Sequence, residues 1–83
     1  MYYVYVLTSL KDGKLYVGYT TNLKKRFAEH NACKVASTKL RTPLKLLYYE
    51  ACNVQDDALS REKDLKTGFG RAYLKRRLSD ITH

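Results

Sequence analysis

Two short runs of aromatic and β-branched residues flank a polar break at Lys11-Asp12-Gly13-Lys14, and this pairing limits what the chain can become. Asp-Gly between such runs supplies the positive φ that tight hairpin turns need. The spacing therefore predicts antiparallel strands over residues 2–9 and 14–19. Side chains alternate faces along a strand, so Tyr3 and Tyr5 share one face and Val4 and Val6 the other. A turn at Asp12-Gly13 brings Tyr5 close to Tyr16 across the hairpin.

Beyond the hairpin the signals change to helical spacing. Thr20-Thr21-Asn22 is a cluster of N-cap residues, and a helix is expected from Leu23 to Asn31. Leu23 and Phe27 lie four apart and form its core stripe. Arg26 and His30 share an adjacent stripe and can face one site, while Lys24, Lys25 and Glu29 point outward. Residues 32–43 read as a loop, broken by Ser37, Thr38 and Pro43 and made basic by Lys34, Lys39 and Arg41. Its length suits a functional loop, and a merely solvated segment fits equally well. Leu44 to Cys52 is the third strand, paired with the hairpin.

Asn53 or Asp56 is placed to cap a second helix over about Gln55 to Thr67, stopping at Gly68. Its apolar positions are Ala58, Leu59 and Leu65, and Glu62 falls within that stripe. A buried carboxylate needs a cation, hydrogen-bond donors or a metal. A last helix is expected from about Arg71, packing Tyr73, Leu74 and Leu78. The fold class is thus α/β of the α+β kind, a small three-stranded antiparallel sheet flanked by helices in the order β-β-α-β-α-α. One domain spans residues 1–83.

Sixteen Lys and Arg against eight acidic residues leave a formal charge of +8. That favours an anionic partner, nucleic acid before an acidic membrane surface. Lys66, Arg71, Lys75 and Arg76 form a basic cluster that favours phosphate contact, and Lys24, Lys34, Lys39 and Arg41 add to it. Cys33 and Cys52 lack metal spacing and are expected to be a reduced pair. With no leader and no membrane-length apolar run, the expectation is a soluble cytoplasmic protein without a membrane partner, monomeric rather than oligomeric.

Taken alone, the polar residues have ordinary readings. Glu62 pairs with Arg26 or a lysine, Arg26 is solvated, and the tyrosines are good strand formers. The ordered set is more specific. Tyr3-Val4-Tyr5 and Tyr16-Val17-Gly18, followed by Arg26, His30 and Glu62, resemble the paired signature and site residues of the GIY-YIG nuclease domain. The likeness covers nearly the whole chain. It is greatest to the short, stand-alone members that resemble the amino-terminal domain of the DNA-repair excinuclease.

The resemblance implies a divalent-metal-dependent endonuclease acting on DNA, with branched or damaged repair structures as candidate substrates and one Mg²⁺ or Mn²⁺ held by Glu62. It makes Arg26 a phosphate clamp, whose planar fork suits two phosphate oxygens. It makes Tyr5 and Tyr16 the activators of the attacking water, with His30 accepting or orienting a phenol proton. Which tyrosine is the base stays open, and nearby Arg26 charge favours a phenolate. Gly18 is expected to let the backbone bend or a substrate approach. Three positions depart from the family pattern: Tyr3 replaces a glycine, Tyr19 stands where some relatives have a lysine, and Leu74 stands where many carry an asparagine. A non-catalytic nucleic-acid-binding module is the alternative, and a protein-interaction domain is a weaker third.

Overall fold

The computed structural model describes residues 1–67. The elements are β1 (Tyr2–Ser9), β2 (Leu15–Thr20), α1 (Leu23–Asn31), β3 (Leu44–Cys52) and α2 (Gln55–Lys66). The expected stop at Gly68, the final helix and the basic positions Arg71, Lys75 and Arg76 lie outside the described residues.

The strands form one antiparallel sheet in the order β2-β1-β3, with the first strand in the middle. In its register Tyr5 faces Gly18 and Leu7 faces Tyr16 on one side, and Tyr5 faces Tyr49 on the other. The hairpin connection is longer than a two-residue turn. Gly13 N–H donates to Ser9 O at 2.8 Å and Ser9 N–H to Lys14 O at 3.0 Å. Only Gly13 takes positive φ there, at 73°, so Asp12 needs no left-handed conformation. Instead its carboxylate accepts the Lys14 N–H at 2.9 Å, which holds its pKa below the ordinary value.

Alternation divides the core into two layers. Val4, Val6 and Val17 pack with Ala58 and Leu65 of α2 on one face. Tyr5, Leu7 and Leu44 pack with Leu23 and Phe27 of α1 on the other. Burying a leucine such as Leu65 contributes about 1.5–3 kcal/mol. Between Val6 and Leu7 the β3 register slips by one residue, a bulge at Leu47. It puts Leu47 and Tyr48 on the α2 face and Leu46 on the α1 face, at the cost of one unpaired ladder position.

Asn22 caps α1 as expected, its side chain accepting the Lys25 N–H at 3.1 Å. The α2 cap departs from expectation: neither Asn53 nor Asp56 supplies it. Val54 occupies the cap position with no side-chain hydrogen bond. Asp56 and Asp57 instead lie in the first turn, where negative charge suits the helix dipole. Leu59, expected on the apolar stripe, is exposed. Polar contacts add to the apolar packing of the helix on β3: Arg61 Nε and Nη2 each donate to the Glu50 carboxylate at 2.9 Å, a carboxylate that also accepts from Tyr48 of the same strand at 2.5 Å.

Candidate active site

The two helices that carry predicted site residues pack on opposite faces of the sheet. Tyr5, Tyr16, Arg26 and His30 lie on the α1 side, whereas Glu62 comes from α2.

The α1-side group is tightly joined. Tyr5 Oη lies 2.8 Å from His30 Nε2, and His30 Nδ1 lies 2.7 Å from Thr38 Oγ1. The Tyr16 ring meets the His30 ring edge-on at 5.1 Å and the Tyr5 ring at 6.4 Å. Arg26 pairs with Glu29 at 3.7 Å, and its charge acts on the Tyr5 hydroxyl and the His30 ring. Tyr5, His30 and Thr38 are buried, while Tyr16 and Arg26 are half-buried.

Gly18 makes room for this arrangement. A Cβ there would lie 2.4 Å from both Cζ and Oη of Tyr5. The space is therefore filled by the phenol of the protein itself, and it is not an opening for substrate.

Burial also reverses the expected chemistry of Tyr5. Arg26 favours the phenolate, but burial outweighs it and pushes the Tyr5 pKa up to about 12, with Tyr16 and Glu62 adding to the rise. Tyr5 is a neutral phenol at any ordinary pH. His30 is shifted downward, chiefly by burial and then by Arg26, with Glu29 partly offsetting. The imidazole therefore keeps its neutral form to lower pH than a free one.

This shift has a stability consequence. The unfolded His30 keeps a pKa near 6.5, and the folded one lies lower. Below pH 6.5 the unfolded chain takes up the proton first, so stability is full above that pH and falls as pH approaches the folded value. Thermal unfolding between pH 5 and 8 should show this slope, and His30→Gln should flatten it over the same range.

Glu62 is partly exposed, at 21%, and its ion-pair partner is Lys66 at 3.3 Å. Its charge is felt at the Tyr5 hydroxyl as the smallest of the contributions there. Lys66 is 54% exposed, so the pair is wet; a pair of this kind contributes about 0–1 kcal/mol. Among the described residues no three His, Cys, Asp or Glu side chains cluster as a metal site.

The basic loop is ordered at both ends. Asn31 bonds Leu44 through both its amide groups, at 2.8 and 3.0 Å, and Ser9 Oγ donates to Arg41 O at 2.6 Å. Lys24, Lys34, Lys39 and Lys66 are exposed. Arg41 is turned inward towards Asp12 at 3.7 Å, with Nε and Nη2 buried, so its charge is not freely displayed. An open groove of about 510 Å³ lies at the start of α1, lined by Tyr3, Leu23, Lys24, Phe27 and Tyr49 among others. None of Tyr5, Tyr16, Arg26, His30 or Glu62 lines it.

Thr38 and the Glu50–Arg61 pair escape sequence reasoning. Thr38 sits in a segment without periodicity, so its burial has no local signal. A charged pair eleven residues apart is visible only once β3 and α2 are packed together.

Residues 1–78 match the GIY-YIG catalytic domain. The chain belongs to the GIY-YIG family. It is 46% identical over 67 residues to a UPF0213 protein of Staphylococcus haemolyticus, covering 80% of each. It is 52% identical over 61 residues to a UPF0213 protein of Streptococcus pyogenes serotype M3, covering 72% of this chain and 65% of that one. A UPF0213 protein of Bacillus halodurans solved by solution NMR superposes with a TM-score of 0.56 at 31% identity, covering 92% of this chain and 84% of that one. Membership makes this a chain of the nuclease superfamily, with the three-stranded α+β fold seen here. No helix among the described residues is long and apolar enough to cross a membrane.

Proposed function

We propose that the chain is a divalent-metal-dependent endonuclease that hydrolyses a phosphodiester of DNA beside Tyr5, Tyr16 and Arg26. The observation that carries this reading is the 2.8 Å contact between Tyr5 Oη and His30 Nε2, with the Arg26 charge acting on the same hydroxyl. A phenol can relieve an attacking water of its proton only if its own proton has somewhere to go. Tyr5 has such an acceptor and is the base in this reading. Its burial means the water it serves arrives with the phosphate, away from bulk solvent. Arg26, half-buried, remains open enough to hold phosphate oxygens. Tyr16 lines the same site from the more exposed side.

Glu62 offers a hard carboxylate oxygen, and its lysine partner is exposed and displaceable. Mg²⁺ or Mn²⁺ needs only one or two carboxylates, with waters and substrate phosphate completing its shell, so this donor set fits. When bound, such an ion supplies positive charge to the phosphoryl and leaving oxygens. The formal charge of +8 and the exposed lysines at positions 24, 34, 39 and 66 favour a polyanion. Repair or recombination DNA, delivered in the cytoplasm with or without a targeting protein, is the setting this reading suggests.

Incubation with nicked, branched and single-stranded DNA plus Mg²⁺ or Mn²⁺ tests it. Cleavage should fall about 10²-fold or more in Arg26→Ala and Glu62→Ala, the scale seen when a charge-stabilising group is removed, and persist in Lys11→Ala. Salt-sensitive binding with no cleavage by the wild type would favour the binding module instead.

A further inference from the structure

We infer that Thr38 is a positioning residue, holding His30 as the Nδ1–H tautomer so that Nε2 accepts the Tyr5 proton. Thr38 and His30 are both fully buried, and their atoms lie 2.7 Å apart. Two directions of hydrogen bonding are open to the chain Tyr5–His30–Thr38. In one, Tyr5 donates to Nε2 and Nδ1–H donates to Thr38 Oγ1. In the other, Thr38 donates to Nδ1 and Nε2–H donates to the Tyr5 oxygen.

Arg26 decides between them. A guanidinium only donates and stays charged, and its charge acts on both the Tyr5 hydroxyl and the His30 ring. The second direction would place an imidazole N–H and the phenol's own proton together beside that positive charge. It would also aim the positive end of the imidazole dipole at the Arg26 charge. The first direction turns the Nε2 lone pair towards that charge and sends the Tyr5 proton along an existing bond. A histidine tautomer is set by the bond its other nitrogen makes, and here that partner is Thr38.

The loop geometry is what brings this hydroxyl to the ring. Thr38 N–H donates to Val35 O at 3.1 Å and Arg41 N–H to Thr38 O at 2.9 Å, with Val35 buried beneath. The Arg41 carbonyl is in turn held by Ser9 of the central strand. Residues 32–43 thus act as a clasp over His30.

The use of this tautomer rests on the nuclease reading. As the water oxygen bonds to phosphorus, the water proton passes to the Tyr5 oxygen. The Tyr5 O–H bond breaks as a His30 Nε2–H bond forms. The P–O bond to the departing strand end breaks with its electron pair on that oxygen, which takes a proton from solvent. The tautomer itself does not depend on cleavage and can be read separately.

Long-range ¹H–¹⁵N correlation NMR of the histidine rings near pH 7.5 is the test, with His83→Gln assigning the two histidines. The wild type should show the Nδ1–H tautomer for His30, and Thr38→Ser should retain it. Thr38→Val should shift it towards Nε2–H and lower kcat about tenfold with little change in KM, while Thr38→Ser stays near wild type. An Nε2–H tautomer in the wild type overturns the inference, even if Thr38→Val fails to fold. So does an unchanged Nδ1–H tautomer in a folded Thr38→Val protein. A wild type that never cuts DNA yet holds the Nδ1–H form, displaced by Thr38→Val, supports the positioning role and ends the nuclease reading alone.

Discussion

Gly18→Ala should both destabilise the protein and stop its chemistry. The new Cβ would stand 2.4 Å from Cζ and Oη of Tyr5, far inside van der Waals contact. Neither side can yield cheaply. Gly18 is in a strand paired to the central one, and Tyr5 is packed among Leu7, Leu44, Leu23 and Phe27. Overpacking of this kind costs about 1–3 kcal/mol, and the displaced phenol loses its 2.8 Å contact with His30. Urea unfolding should show the midpoint falling, and DNA cleavage should be lost at temperatures where the variant is still folded. A variant with wild-type stability and wild-type cleavage would mean that the phenol does not lie over residue 18.

Tyr5→Phe should give the largest loss of activity for the smallest change in shape. The ring remains and fills the same space. Only the hydroxyl is removed, which leaves His30 Nε2 without that partner. Leaving a buried polar group unsatisfied costs about 1–3 kcal/mol. Removing the group that moves the proton should lower kcat by about 10²–10⁴-fold. Tyr16→Phe is the informative contrast, because Tyr16 touches His30 through its ring and not through a hydrogen bond. If Tyr16→Phe abolishes cleavage while Tyr5→Phe spares it, the assignment of the base to Tyr5 is wrong.

Both predictions concern features with different legibility in the chain. The strand and helix positions are readable because their causes are local. Alternation marks the hairpin, Asn22 marks the start of α1, and Leu23 and Phe27 mark its inner stripe. The same local reading misplaces the α2 cap and buries Leu59, because Val54 and Leu59 owe their exposure to how α2 sits on the sheet. The site residues on α1 can be paired by their four-residue spacing alone. The partners of His30 cannot, since they lie 25 residues back and 8 residues forward on other elements.

The amino-acid order by itself determined the three strands and two helices among the described residues, the excess of positive charge and the family, because each follows from residue types at short spacing. Tertiary packing alone decided that β1 is central, that α1 and α2 take opposite faces, and that Tyr5 fills the space above Gly18. It also decided that Tyr5 stays protonated despite Arg26, because desolvation depends on everything packed around the ring and outweighs one neighbouring charge. Thr38 meets His30 for the same kind of reason: the loop is folded inward by bonds from Ser9 and Asn31, and nothing near Thr38 in the sequence announces them.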